Sequence, residues 1–309
     1  MGISVVIPVY NSAEILPDLI VRLVTLLARI TSKHEVILVN DGSKDHSWDV
    51  IKKISQERSG VIGISLSKNY GQHNALLCGI REAHYDLIVT IDDDLQHPPE
   101  EIPKLLEKLN EGYDVVYGYP AHEQHGILRD FASQISKFTL QNAMGAENSS
   151  RLSAFRVFKT DLRQAFKDYA GVYVSIDVLL TWGTNKFGWV ATSHQPRQSG
   201  VSNYTFFMLF SHAMNMFTGF SIIPLQLASL LGFGATLFGL LILIYVVGRV
   251  LHYGSKVPGF AFLASIISLF AGIQLFVLGI FGEYLARMHF RIIEKPSYVI
   301  REKNTQTRK

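Results

Sequence analysis

Two stretches near the carboxyl end, Leu227–Val247 and Phe260–Phe281, contain no charged residue and run longer than the roughly 18 residues a bilayer-crossing helix needs. A helix of a soluble core is seldom apolar on every side over such a length. The chain is therefore expected to carry a transmembrane hairpin over 225–285, and its chemistry must be built by the residues ahead of it. The connection Gly248–Gly259 holds only Arg249 and Lys256, whereas Arg287, Arg291, Lys295, Arg301, Lys303, Arg308 and Lys309 follow the second span. Basic residues stay on the cytoplasmic side, so the 286–309 tail, the N-terminal domain and both termini are expected there. Gly2–Pro8 lacks a basic leading region and reads as a strand rather than a signal peptide. The lone Cys78 excludes an intramolecular disulfide and fits a reducing compartment. A net charge of +3 says little by itself, and no nucleic-acid partner is expected.

Up to about residue 200, short apolar runs alternate with amphipathic stretches. Strands are expected at Ser4–Tyr10, Glu35–Val39, Val61–Leu66, Leu87–Ile91, Val115–Gly118 and Phe155–Phe158. Helices are expected at Ala13–Ile30, with Ser12 as its cap, and at Trp48–Arg58 and Gln72–Ala83. Such alternation predicts an α/β fold with a mostly parallel sheet and right-handed crossovers over 1–202. The aromatic and methionine-rich region 203–224 suits a helix lying in the headgroup layer, with a core helix of the globular domain as the alternative.

The strand at Leu87–Ile91 ends in Asp92-Asp93-Asp94. Neighbouring carboxylates repel one another unless a cation neutralises them. At the carboxyl end of an α/β strand, where ligands bind, they suggest a divalent metal carrying phosphates; a solvated acidic loop is the bland alternative. If the chain stays extended there, Asp92 and Asp94 share a face and Asp93 points elsewhere and is dispensable. Two other strand ends should converge on the same edge. Pro8-Val9-Tyr10-Asn11 offers a ring to a base. In Asn40-Asp41-Gly42-Ser43, Asp41 could accept from a donor edge such as the uracil N–H, or simply form a turn.

These motifs, with Asn69-Tyr70-Gly71-Gln72-His73-Asn74-Ala75, Leu95-Gln96-His97-Pro98-Pro99-Glu100, Phe155-Arg156, and Arg197 with Gly200, Ser202 and Tyr204, resemble those of family 2 glycosyltransferases. The resemblance spans nearly the whole chain, points to the polyprenyl-phosphate branch, and implies a GT-A fold. It implies that Asp92 and Asp94 hold Mg²⁺ or Mn²⁺ against the diphosphate of a UDP-, GDP- or dTDP-sugar, with Asp94 catalytic. Pro8, Tyr10, Asn11, Asp41, Lys68, Gly71, Gln72 and Asp93 would complete the donor site. Arg197 and Ser202 would face the phosphate of a polyprenyl lipid such as undecaprenyl phosphate. Arg156 is a second candidate for that phosphate, or a brace for the sheet.

The pattern departs from the family at two places. Asn203 stands where relatives carry a lysine. The aspartate relatives place shortly before Phe-Arg, often proposed as the base, is replaced by Ser150-Arg151. Glu147 is the nearest upstream carboxylate and Asp177 the other candidate base, while Arg151 could serve as a phosphate ligand. A lipid phosphate is already an anion, so a base should matter less than for an alcohol acceptor. The expectation is inverting transfer of one sugar to lipid phosphate at the cytoplasmic face of a bacterial inner membrane, for surface-glycan or lipid modification. The resemblance further implies a tetramer; two spans are too few for a sugar flippase, so a separate partner is expected to move the product across. Transfer to a growing glycan and an inactive donor-binding subunit are the alternatives.

Overall fold

The computed structural model describes residues 1–120, 152–171, 174–195, 223–254 and 259–305. The chain divides into two compact units, Met1–Ala213 with Glu294–Lys309, and Met214–Ile293. The first contains an eight-stranded sheet. Its strands are β1 (Ile3–Val9), β2 (His34–Asn40), β3 (Val61–Leu66), β4 (Leu87–Thr90), β5 (Val115–Pro120), β6 (Arg156–Lys159), β7 (Phe187–Thr192) and β8 (Ile300–Thr305), in the order β7-β5-β6-β4-β1-β2-β3-β8. β4, β1, β2 and β3 run parallel; β6 is antiparallel to β4 and β5, and β8 is antiparallel to β3.

β1 sits between β4 and β2, and all seven of its residues are buried, which explains its unbroken apolar run. Helices α1 (Leu16–Ile30), α2 (Ser47–Glu57), α3 (Gln72–Glu82), α4 (Ile102–Leu109) and α5 (Ile176–Thr181) accompany the sheet. Leu16, Leu19, Ile20, Leu23 and Leu27 recur at helical spacing on the buried face of α1. Each such side chain contributes about 1.5–3 kcal/mol on burial. Because β1, β2, β3 and β4 are parallel neighbours, the loops that follow them share one edge of the sheet, as the alternating pattern predicts.

Two expectations change here. α1 begins at Leu16, with Pro17 in its first turn, and has no side-chain cap. The Ser12 hydroxyl is directed instead to Asp93 Oδ2, 2.6 Å away. The 286–309 segment, expected only as a basic tail, gains structure: residues up to Ile292 continue a helix and Ile300–Thr305 forms the sheet edge beside β3.

The second unit holds α6 (Ile223–Tyr253, 31 residues) and α7 (Phe260–Ile292, 33 residues). At 1.5 Å per residue each exceeds the roughly 30 Å hydrocarbon layer. Both are long and apolar enough to cross a membrane, and side chains such as Phe233 and Leu275 are 70 % exposed, which only a lipid or protein covering makes favourable.

Candidate active site

The end of β1 is shaped by backbone geometry. Asn11 takes φ +55°, its N–H donates to Ser43 Oγ (3.0 Å), and its Oδ1 accepts from the Lys44 N–H (2.8 Å). This binds the loops after β1 and β2 to each other. Tyr10 is 40 % exposed, leaving its ring face open to a planar ligand. Pro8, expected at the donor, lies within buried β1 and shapes the strand end.

Asp41 departs from its expected role. It is 3 % exposed, and its two oxygens accept the N–H groups of Tyr70 and Gly71 at 2.7 and 2.8 Å. Burial pushes its pKa up while those two bonds oppose the rise. In this conformation Asp41 secures the loop Lys68–Gly71 rather than offering itself to a base. The neighbouring Gly42, at φ +64°, lies under that loop: an added Cβ would sit 2.5 Å from Asn69 N and Lys68 C. Gly42→Ala is therefore expected to cost about 1–3 kcal/mol of stability and to weaken donor binding, checked by thermal unfolding and nucleotide titration. Gly71, at φ +93°, has open space around the position of a Cβ, so its backbone is accessible where α3 begins. The Lys68 ammonium lies over the Tyr70 ring, 5.1 Å from its centroid.

The aspartates diverge as soon as β4 ends. Asp92 accepts a bond from the Gln72 amide at the start of α3. Asp93 turns back to β1, where it accepts from the Tyr10 N–H (3.1 Å) and the Ser12 hydroxyl (2.6 Å). Asp93 thus ties the loop after β1 down, a contact that the expectation of a dispensable residue did not include. The chain turns at Asp93 and Asp94 instead of staying extended, and Asp94 Oδ1 accepts from the Gln96 N–H. Leu95, at φ +58°, completes the turn.

Burial, then the charges of Asp94 and Asp93, push the Asp92 pKa up to about 7, with Arg156 and Gln72 opposing. Such a cluster is stabilised by a cation. Among the described residues no three His, Cys, Asp or Glu side chains are grouped to hold a metal. A cation at Asp92 and Asp94 would therefore draw further ligands from water and a diphosphate, an arrangement suited to Mg²⁺ or Mn²⁺. The donor set fits that group.

A pH dependence follows. In the cation-free fold Asp92 holds its proton up to about pH 7, against an ordinary value of 3.8, so stability falls as pH rises between those values. A cation offsets this loss. Mn²⁺ is expected to raise Tm clearly at pH 8 and hardly at pH 5; equal shifts in thermal scans at both pH values would refute it.

Behind the cluster lies a buried group centred on Arg156, and it decides between the two roles the sequence left open for that residue. Arg156 is 1 % exposed, pairs with Asp177, donates from Nε to Thr90 Oγ1 (3.0 Å), and lies 5.6 Å from the Tyr117 ring centroid. Burial and the Asp177 charge push the Tyr117 hydroxyl well above its ordinary value, so it keeps its proton and donates to Asp177 (3.0 Å). Arg156 consequently has no face for a lipid phosphate and braces the sheet. Asp177, the alternative base, is committed to the same pair. His97, in the tail of the aspartate motif, stacks on Phe155 at 5.2 Å. Burial and His194 push its pKa down to about 4, so it is neutral at physiological pH. Glu147, Arg151, Arg197 and Ser202 lie outside the described residues, as does most of the 203–224 region.

Residues 4–167 match the glycosyl transferase family 2 model. The chain is 33% identical over 303 residues to undecaprenyl-phosphate 4-deoxy-4-formamido-L-arabinose transferase of Shewanella sediminis, covering 97% of this chain and 92% of that relative. The chain belongs to glycosyl transferase family 2. The enzyme of the same name from Pseudomonas aeruginosa PAO1 is 32% identical over 301 residues, covering 96% of this chain and 89% of the relative. Among solved structures, glucosyl-3-phosphoglycerate synthase from Mycobacterium tuberculosis, in complex with Mn²⁺, UDP and glucosyl-3-phosphoglycerate, is similar with a TM-score of 0.52 at 17% identity. That match covers 70% of this chain and 77% of the other. Mannosyl-3-phosphoglycerate synthase from Rubrobacter xylanophilus gives a TM-score of 0.51 at 16% identity, covering 84% of this chain and 78% of the other. These two likenesses establish the shared GT-A fold.

Proposed function

We propose that this family 2 member transfers one sugar from a nucleotide-sugar to the phosphate of undecaprenyl phosphate, at the cytoplasmic face of a bacterial inner membrane. The observation that carries the reading is the convergence of Tyr10, the Lys68–Gly71 loop and the aspartate triplet at the edge of the sheet, in a chain that aligns over nearly its whole length with undecaprenyl-phosphate transferases. Tyr10 stacks on the base, and the backbone at Gly71 with Lys68 and Gln72 faces the diphosphate. Asp92 and Asp94 would hold Mg²⁺ or Mn²⁺, and the cation would supply positive charge to stabilise a departing nucleoside diphosphate. The anionic acceptor needs orientation more than deprotonation, so the absence of the usual aspartate before Phe155 leaves the reaction open. Attack from the face opposite the leaving group inverts the anomeric centre. Arg197 with Ser202 and Arg151 orients the lipid phosphate, and Glu147 is the carboxylate available as a base. The arginine's planar fork suits two-point phosphate binding.

The membrane orientation is supported by the basic residues after α7 and by β8, which belongs to the same unit as the N-terminal domain. Two crossings return the chain to the side it left. We expect a homo-oligomer and a separate flippase for the lipid product. The test is incubation of membranes carrying the full chain with undecaprenyl phosphate and radiolabelled UDP-, GDP- and dTDP-sugars. Metal-dependent label in a lipid fraction supports the reading; no labelled lipid across a broad panel refutes it.

A further inference from the structure

We propose that Ser297–Thr305, the segment following the second membrane helix, is a positioning element of the donor site: it grips both elements that flank the loop Lys68–Gly71. On one side, β8 runs antiparallel along β3, from Ile62 opposite Thr305 to Leu66 opposite Ile300. The grip continues past the strand, where the Ser67 N–H donates to the Val299 carbonyl at 2.9 Å. Ser67 is the residue immediately ahead of the loop, and its hydroxyl lies 2.9 Å from the Tyr70 hydroxyl.

On the other side, the same segment holds the far end of α3. Lys303 pairs with Glu82, and the Arg81 guanidinium lies 5.7 Å from the Tyr298 ring centroid. Arg81 also donates to the Tyr169 carbonyl at 2.6 Å, while the Ser297 hydroxyl donates to Gly171 O at 2.7 Å. A third tie runs from the Trp48 indole N–H on α2 to Glu302.

The loop therefore hangs between two elements clamped by one strap, and the loop itself carries the Gly71 backbone and the start of α3, where Gln72 meets Asp92. An edge strand of sequence Ile300-Arg301-Glu302-Lys303-Asn304-Thr305 is mostly exposed and buries little apolar surface. Its contribution is the ladder and the end contacts, so its consequence is order in the loop rather than a larger core.

This inference rests on the donor-site reading above, and its test separates the two. In an antiparallel ladder successive N–H groups alternate in direction, so the double variant Glu302→Pro/Lys303→Pro in the full chain removes whichever of the two faces β3. It also removes the partners of Trp48 and Glu82. Two readouts are needed: hydrogen exchange at the Ser67–Gly71 amides, and titration with UDP, GDP and dTDP in the presence of Mn²⁺. The expected result is faster exchange at Ser67, Tyr70 and Gly71 and about tenfold weaker affinity for whichever diphosphate the wild type binds, roughly the cost of re-ordering one backbone residue. Steady-state kinetics should show the donor KM rising while the lipid KM stays unchanged, a split that general destabilisation would not produce. Glu302→Gln/Lys303→Arg, which keeps the ladder, should behave as wild type. Wild-type exchange rates at Ser67–Gly71 in a double-proline variant whose β8 amides exchange freely would overturn the proposal, as would unchanged diphosphate affinity. A wild type that binds no diphosphate would count against the donor-site reading, while the exchange arm would still decide the strap.

Discussion

Asp94→Asn is expected to lower sugar transfer by about 10³-fold at saturating Mn²⁺, with Asp92→Asn close behind. The leaving nucleoside diphosphate gains charge as the glycosidic bond breaks, and an amide oxygen cannot replace a carboxylate in holding the cation against it. Asp93→Ala should behave differently. It removes the acceptor of the Tyr10 N–H and Ser12 hydroxyl, so it should raise the donor KM while kcat at saturating donor stays near wild type. Replacement of all three aspartates in turn, with kcat and both KM values measured, separates cation ligands from the loop tether. A kcat loss at Asp93 as large as that at Asp94 would show that the division of roles drawn from the geometry is wrong.

The second large effect is on stability. Arg156→Ala leaves the largely buried Asp177 with only the Tyr117 hydroxyl and no countercharge, and leaves Thr90 Oγ1 without its donor. Breaking a buried pair by removing one partner costs about 3–5 kcal/mol. The variant is expected to unfold at a clearly lower temperature and to express poorly, as read by thermal unfolding in detergent. A phosphate-binding arginine would give the opposite signature, an unchanged Tm with a raised KM for the lipid.

The contrast between Arg156 and the aspartates shows what could be read from the residues alone. Parallel strands buried on both faces advertise themselves as apolar runs, so β1, β2, β3 and β4 and the loops at their ends are legible in the sequence. The charged triplet stood out because nothing in packing asks for it. What a carboxylate bonds to is tertiary information: Asp41 meets the Gly71 N–H across 30 positions and Asp93 meets Ser12 across 81. Neither partner carries a local signal. For Arg156 the sequence leaves phosphate ligand and sheet brace both open, and only the fold, with Tyr117, Thr90 and Asp177 closing around it, selects the brace. β8 is hidden in the sequence for another reason. Its exposed edge strand carries charges and no alternation, so it resembles a solvated tail. α1 starts at Leu16 rather than beside Ser12 because the Ser12 hydroxyl donates to Asp93 and accepts from no helix N–H, a long-range partnership that the local sequence does not signal.

Delivery of the sugar to a lipid phosphate is the step on which the proposed function stands. Its most direct test is product identification with purified full-length protein, undecaprenyl phosphate, Mn²⁺ and the donor the panel selects. The expected product is a lipid whose mass equals undecaprenyl phosphate plus one sugar residue, formed by the wild type and lost with EDTA or in Asp94→Asn. Label incorporated into a polymer, or a glycolipid formed equally without a divalent cation, would contradict it.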